Sequence, residues 1–236
     1  MCYIRQEVLR REAYGIDERM LLDGGIFLGT LAFMADFWTG KLLHEWIGLA
    51  VVLFVTHLLI NRRWYGKAFT SKGVPMNGVR KTFNCLLLFM TLGMIVSSLL
   101  LSEYVFGFLG LGGDKVGLTP HLICSYWGFL IMAMHIGLHW PMLLAQFKKT
   151  ALGKTLCGQA WLGRVGAIIT VVLGAVSLWH QQYGAHLFMR IGTSDLPHQD
   201  SLILFTVEQL LIMGLFIVGI RAVQKLVLER CTKATS

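Results

Sequence analysis

The chain has 236 residues, 55% of them hydrophobic and only 14% charged, with a mean hydropathy of +0.62. This balance excludes a soluble domain of this size as well as a polar tail, and points to a membrane protein. The formal charge of +8 comes with neither zinc-finger spacing nor a basic groove-entering helix, so nucleic acid is not an expected partner.

The N-terminal stretch mixes Arg5, Arg10, Arg11 and Arg19 with Glu7, Glu12, Asp17 and Glu18 and turns apolar only near Leu21. It reads as a cytoplasmic lead-in to a retained helix rather than a cleaved signal peptide. Apolar runs follow at about 21–38, 43–61, 83–106, 121–145, 163–183 and 202–220. The later five approach the roughly 20 residues a helix needs to cross hydrocarbon, and the first is marginal. The expected fold is therefore all-α, a polytopic membrane bundle of six transmembrane helices in one membrane domain over residues 1–236.

Of the 21 Lys and Arg residues, 18 fall in the N-terminal stretch, the connections after the second and fourth runs, and the C-terminal segment. Only Lys41, Lys115 and Arg190 fall on the other side. By the positive-inside rule both termini are expected in the cytoplasm of a plasma-membrane protein. Trp38, Trp46 and Trp179 then mark the outer boundary, and Trp64, Trp140 and Trp161 the inner one. Trp127 lies deeper, where it packs or lines a cofactor pocket.

The glycines Gly110, Gly112 and Gly113 of "GFLGLGGDKVG" lack the Lys-Ser/Thr of a phosphate loop, and no dinucleotide fingerprint is present. The five cysteines, Cys2, Cys85, Cys124, Cys157 and Cys231, make no CxxC pair, and there is no CxxCH for covalent haem attachment. Gly48, Gly93, Gly128 and Gly137 suit close approach of helices or of a flat cofactor.

The histidines carry the chemical signal. His44 and His57 lie in the second run, and His121, His135 and His139 in the fourth. Ionisable groups at such depth are costly unless partnered. His44 to His57 is 13 residues, a rise of roughly 20 Å, and His121 to His135 is 14, roughly 21 Å. The two helices run in the same direction, so His44 shares the outer level with His121, and His57 the inner level with His135. Two levels of facing imidazoles are what two stacked bis-histidine haems require. Phase agrees less well: 14 residues return to within about 40° of whole turns, but 13 leave a mismatch of roughly 140°. His139 competes with His135, giving better phase with His121 but a rise of about 27 Å. Helix–helix hydrogen bonding by isolated histidines, and zinc at the HxxxH pair His135 and His139, are the alternatives.

With "HEWIG" opening the second run and "THLLINRRW" closing it, the chain resembles the di-haem membrane cytochromes b of the cytochrome b561-like group, especially small bacterial ones. The resemblance is best over residues 20–145. It implies that helices 1–4 (21–145) form a haem-binding four-helix bundle, with His44, His57, His121 and His135 as metal ligands of two non-covalent b haems. "MHIGLHWPM" echoes "THLLINRRW", so helices 1–2 are expected to correspond to helices 3–4, Asn61 standing where His139 stands.

Arg62, Arg63, His139 and Trp127 are candidate propionate or pocket contacts, and helices 5–6 (160–222) a quinone or partner region. There Glu208, His180 and His186 are the candidate quinone or proton site; His198 shares their outer connection. The expected function is electron transfer between a quinone or quinol pool, or a redox partner, and another redox protein, as the membrane subunit of an oxidoreductase system. The resemblance implies an extracytosolic partner protein, flavin-containing in some systems, and the bacterial inner membrane as location; the chain is also free to form oligomers. A haem-free transporter or scaffold subunit is the competing class.

Overall fold

The computed structural model describes residues 21–62, 75–111, 114–149, 154–155, 160–190 and 201–235. Among these the regular structure is helical, without a strand. The elements are α1 (Leu21–Met34), α2 (Asp36–Gly48), α3 (Val51–Ile60), α4 (Pro75–Leu101), a 3-10 turn at Gly107–Leu109, α5 (Asp114–Phe147), α6 (Ala160–His180), α7 (Tyr183–Leu187) and α8 (Leu202–Thr235).

Five stretches are long and apolar enough to cross a membrane: Trp38–Ile60, Gly78–Leu101, Val116–Phe147, Trp161–His180 and Leu202–Val227. This is the pattern of an integral membrane protein. Leu21–Met34 is apolar but shorter, and at about 1.5 Å per residue it rises roughly 21 Å against a hydrocarbon thickness of about 30 Å. The third run stops being helical at Leu101, not 106, because residues 102–106 are drawn into a separate hydrogen-bonded turn.

The chain divides into two compact units, one of residues up to Lys72 with Ser102–Phe108, the other of Gly73–Leu101 and Leu109–Ser236. In the first, α1 meets the α2–α3 junction along Gly25 and Gly29, one helical turn apart. A Cβ at Gly25 would stand 3.3 Å from Leu53 Cδ1, and one at Gly29 3.6 Å from Ala50 Cβ, the small-residue seam that lets helices approach in lipid. Gly40 holds φ 68° and kinks α2, a conformation that glycine adopts without the Cβ penalty. Glu45 gathers the Ser102–Phe108 segment. Its carboxylate accepts from Ser102 Oγ at 2.7 Å and from the N–H groups of Glu103, Tyr104 and Val105 at 2.9, 3.0 and 2.9 Å. Lys41 adds an ion pair to Glu103.

In the second unit α5 packs against α4, α7 and α8, and α8 also against α6. Phe129, Leu130, Ile131, Ala133 and Leu138 of α5 are buried with Ile212 and Met213 of α8. Glycine opens the closest contacts. A Cβ at Gly93 would lie 2.6 Å from Cys124 Sγ, and one at Gly137 3.0 Å from the Ile217 carbonyl. Gly48, by contrast, has nothing within 4 Å of where a Cβ would stand. The opposite face of α6 presents Ile168, Val172, Val176 and Trp179, all exposed, an apolar stripe at helical spacing suited to hydrocarbon.

Candidate functional site

In the first unit His57 Nδ1 lies 2.8 Å from Asp23 Oδ1 of α1. His44, near the other end of the α2–α3 pair, meets the Phe33 ring edge-on at 6.2 Å. Between the two histidines the helix is interrupted at Leu49 and Ala50. Four N–H groups there reach back three residues: Leu49 to Trp46 at 3.1 Å, Ala50 to Ile47 at 2.8 Å, Val52 to Leu49 at 3.0 Å and Leu53 to Ala50 at 2.9 Å.

That tightened turn bears on the phase mismatch. A residue in 3-10 geometry advances about 120° and 2.0 Å instead of about 100° and 1.5 Å. Four of them overwind the segment by roughly 80° and lengthen it by roughly 2 Å. The His44–His57 interval then becomes a rise of about 21 to 22 Å with a residual of roughly 60°, against about 21 Å and 40° for His121–His135. The 13-residue interval is thus wound toward the 14-residue one.

The second unit repeats the histidine arrangement. His135 Nδ1 lies 2.8 Å from Asn84 Oδ1 of α4. Asn84 Oδ1 and Asp23 Oδ1 accept hydrogen bonds, so each imidazole carries its proton on Nδ1 and presents Nε2 as the lone-pair nitrogen when neutral. His121 Nδ1 lies 3.3 Å from Ser97 Oγ and 3.4 Å from Ser98 Oγ. The Ser97 hydroxyl already donates to the Met94 carbonyl at 3.0 Å, so toward His121 its oxygen accepts. His57 and His135 therefore share one tautomer, each set by a side-chain oxygen from a helix earlier in the chain, while at His121 the Ser98 hydroxyl can donate as well as accept. Second-partner hydrogen bonding of this kind is what orients imidazoles that ligate metals through Nε2.

His139 stands with its ring centroid 4.8 Å from that of His135, tilted by 48°. Among the described residues no three or more His, Cys, Asp or Glu side chains are grouped to hold a metal ion. Trp127 donates its indole N–H to the Leu187 carbonyl at 3.0 Å and meets Phe188 edge-on, which anchors α5 to the end of α7. Arg62 is exposed just beyond α3. Arg63 lies outside the described residues, as do Trp64, Gly112, Gly113 and His198.

The third predicted group is brought together in part. His180, the last residue of α6, places Nδ1 2.8 Å from Glu208 Oε1 of α8. Gln181 donates to the other carboxylate oxygen. Glu208 is 8% exposed. His186 lies instead against Tyr126, their rings stacked 4.7 Å apart at 3°. Tyr126 meets Tyr183 edge-on, and the Tyr183 hydroxyl donates to Gln209 Oε1 at 3.2 Å. Burial pushes His186 below the usual imidazole range and holds the Tyr183 phenol well above its own, because the charged form of each loses its water.

No protein-family model, curated protein or solved structure is significantly similar to the chain. The site is therefore read from its own residues. Sequence reasoning passed over Asp23, Asn84 and Ser97, which contact histidines directly, and Gln181, which holds the Glu208 carboxylate beside His180. Asp23 and Asn84 do carry a signal, since each is a polar residue near the start of an apolar run.

Proposed function

We propose that the chain is a di-haem membrane cytochrome b that carries electrons between a quinone or quinol pool and another redox protein. The observation that carries this reading is that Nδ1 of His57, His121 and His135 each meets a side-chain oxygen from another helix, the arrangement that orients imidazoles to ligate through Nε2. The residues fit the group: neutral imidazoles with Nδ1 engaged are suitable axial ligands for b-type iron. His44, His57, His121 and His135 would hold two non-covalent haems, with His44 matched to His121 and His57 to His135 by their intervals in the sequence. When bound, haem would supply reversible one-electron transfer, each group held by two imidazoles of the chain.

Asp23 and Asn84 set ring orientation and ligand basicity for His57 and His135, and the Ser97–Ser98 hydroxyls do so for His121. Arg62, Arg63 and His139 are placed by sequence to meet propionates or the inner membrane face, and Trp127 to border the pocket. Leu21–Met34 completes a sixth crossing by local thinning of the bilayer. In a plasma membrane the positive-inside asymmetry puts both termini in the cytoplasm, and the resemblance to small bacterial cytochromes b adds the bacterial inner membrane and an extracytosolic redox protein, such as a flavoprotein, as partner.

The test is haem quantification and reduced-minus-oxidised absorbance of the purified chain expressed with ample haem. Two low-spin b haems per chain are expected. His44→Ala or His121→Ala should lose one haem, and His57→Ala or His135→Ala the other, while His139→Ala keeps both. A stable, folded, haem-free preparation sinks the reading in favour of a transporter or scaffold. Loss of a haem in His139→Ala but not in His135→Ala moves that ligand by one turn.

A further inference from the structure

His180 is a polar group in unusual surroundings. Its side chain is 52% exposed while that of its partner Glu208 is only 10% exposed. On α6, Val176 stands one turn before His180 on the same face and is 61% exposed, and the adjacent Trp179 is 87% exposed. On α8, Ile203 in the first turn is 77% exposed. These side chains make an apolar surface, and His180 breaks it near the end of a membrane-length helix. Placing an ionisable ring on such a surface is costly, and pairing with Glu208 offsets part of that cost.

The ring is also held. Glu208 Oε1 lies 2.8 Å from Nδ1, placed to accept its N–H, and Gln181 donates to the second carboxylate oxygen. In a neutral imidazole whose Nδ1 donates, Nε2 is an acceptor only. The position therefore offers one oriented lone pair to a hydroxyl arriving through the bilayer, bordered by hydrocarbon side chains that suit a ring and a lipid tail. A quinol presents such a hydroxyl. The corresponding quinone presents only carbonyl oxygens, which cannot donate to Nε2.

We propose that His180 is the polar end of a binding site for the ring of a lipid-soluble quinol, with Glu208 and Gln181 as positioning residues that make the site prefer the reduced form. This rests on the electron-transfer reading, which calls for a lipid-soluble redox partner, and names where that partner is recognised. His186, stacked on Tyr126, is not part of the site.

The test is equilibrium binding of a decyl-substituted benzoquinol and of its quinone to the full chain in lipid nanodiscs at pH 8, with any bound haem reduced beforehand for the quinol and oxidised beforehand for the quinone. The quinol should bind roughly tenfold tighter than the quinone, about the worth of one hydrogen bond to an oriented acceptor. His180→Phe, which keeps a ring and its apolar contacts, should erase that difference by weakening quinol binding. His180→Gln can both donate and accept, so it should bind the two forms about equally, and it serves if His180→Phe fails to fold. Glu208→Gln still offers an oxygen to Nδ1 and should retain the preference for quinol, whereas Glu208→Leu should lose it. Equal binding of both forms by the unsubstituted chain, or an unchanged preference in folded His180→Phe or His180→Gln, overturns the proposal. Haem content of the same samples separates the two readings. A two-haem chain without His180-dependent quinol binding removes this site alone. A haem-free chain that shows such binding keeps the site and removes the cytochrome.

Discussion

His135 Nδ1 and Asn84 Oδ1 stand 2.8 Å apart between α5 and α4, and the pair matches His57 Nδ1 and Asp23 Oδ1, also 2.8 Å apart, between α3 and α1. The likeness extends the sequence echo between "THLLINRRW" and "MHIGLHWPM" to the acceptors. One uses a carboxylate and the other a neutral amide, so the Asp23 bond is charge-assisted and leaves His57 the more electron-rich ring.

If His57 and His135 ligate haem as proposed, removing the acceptor should loosen the haem. Asn84→Leu is expected to weaken haem retention roughly 10- to 100-fold, the usual effect of deleting an orienting partner. Asp23→Asn keeps an accepting oxygen and should be milder than Asp23→Ala. Haem titration of the apoprotein, with helicity checked by circular dichroism, measures both. Wild-type retention by folded Asn84→Leu would show that the bond to His135 is structural only.

The α6–α8 contact should be sensitive to one methyl group. A Cβ at Gly174 would lie 2.5 Å from the Leu211 carbonyl oxygen and 2.9 Å from Leu215 Cβ. Backbone yields poorly, so Gly174→Ala should cost about 1 to 3 kcal/mol. Gly163→Ala, on the same helix with nothing within 4 Å, should be neutral or stabilise by up to about 1 kcal/mol through helix propensity. Thermal unfolding of both variants in detergent gives the comparison, with the first expected to melt several degrees lower.

Stability should fall with acid through His186. Burial lowers its native affinity for a proton, so below an unfolded value of about 6.5 the unfolded chain binds more protons than the native one. The stability His186 contributes is thus present above that pH and lost as pH falls toward its lower native value. His186→Phe, which keeps a ring against Tyr126, should flatten the melting-temperature profile between pH 7 and pH 5. An identical slope in the variant would assign the acid sensitivity to other histidines.

Much of the helical layout is legible in the sequence because each crossing demands a long apolar run, and hydrophobicity is additive along the chain. Boundaries were less so. Leu101 ends α4 early because Glu45, 57 residues before Ser102, captures the next backbone amides. No local pattern encodes such a contact. Likewise His180 and Glu208 could each be named from the sequence as costly groups, but not that Gln181 completes their pair and that His186 turns away to Tyr126.

The sequence by itself determined the membrane character, the asymmetry of charge and the two nearly equal histidine intervals of 13 and 14 residues, since these depend on composition and on a fixed rise per residue. Tertiary structure decided what the histidines can do. A tautomer depends on the oxygen that another helix places against one nitrogen. The phase of His57 depends on a turn at Leu49 and Ala50 whose hydrogen bonds run three residues back rather than four. Both are settled by distances of a few ångströms between atoms, which no count of residues along the chain contains.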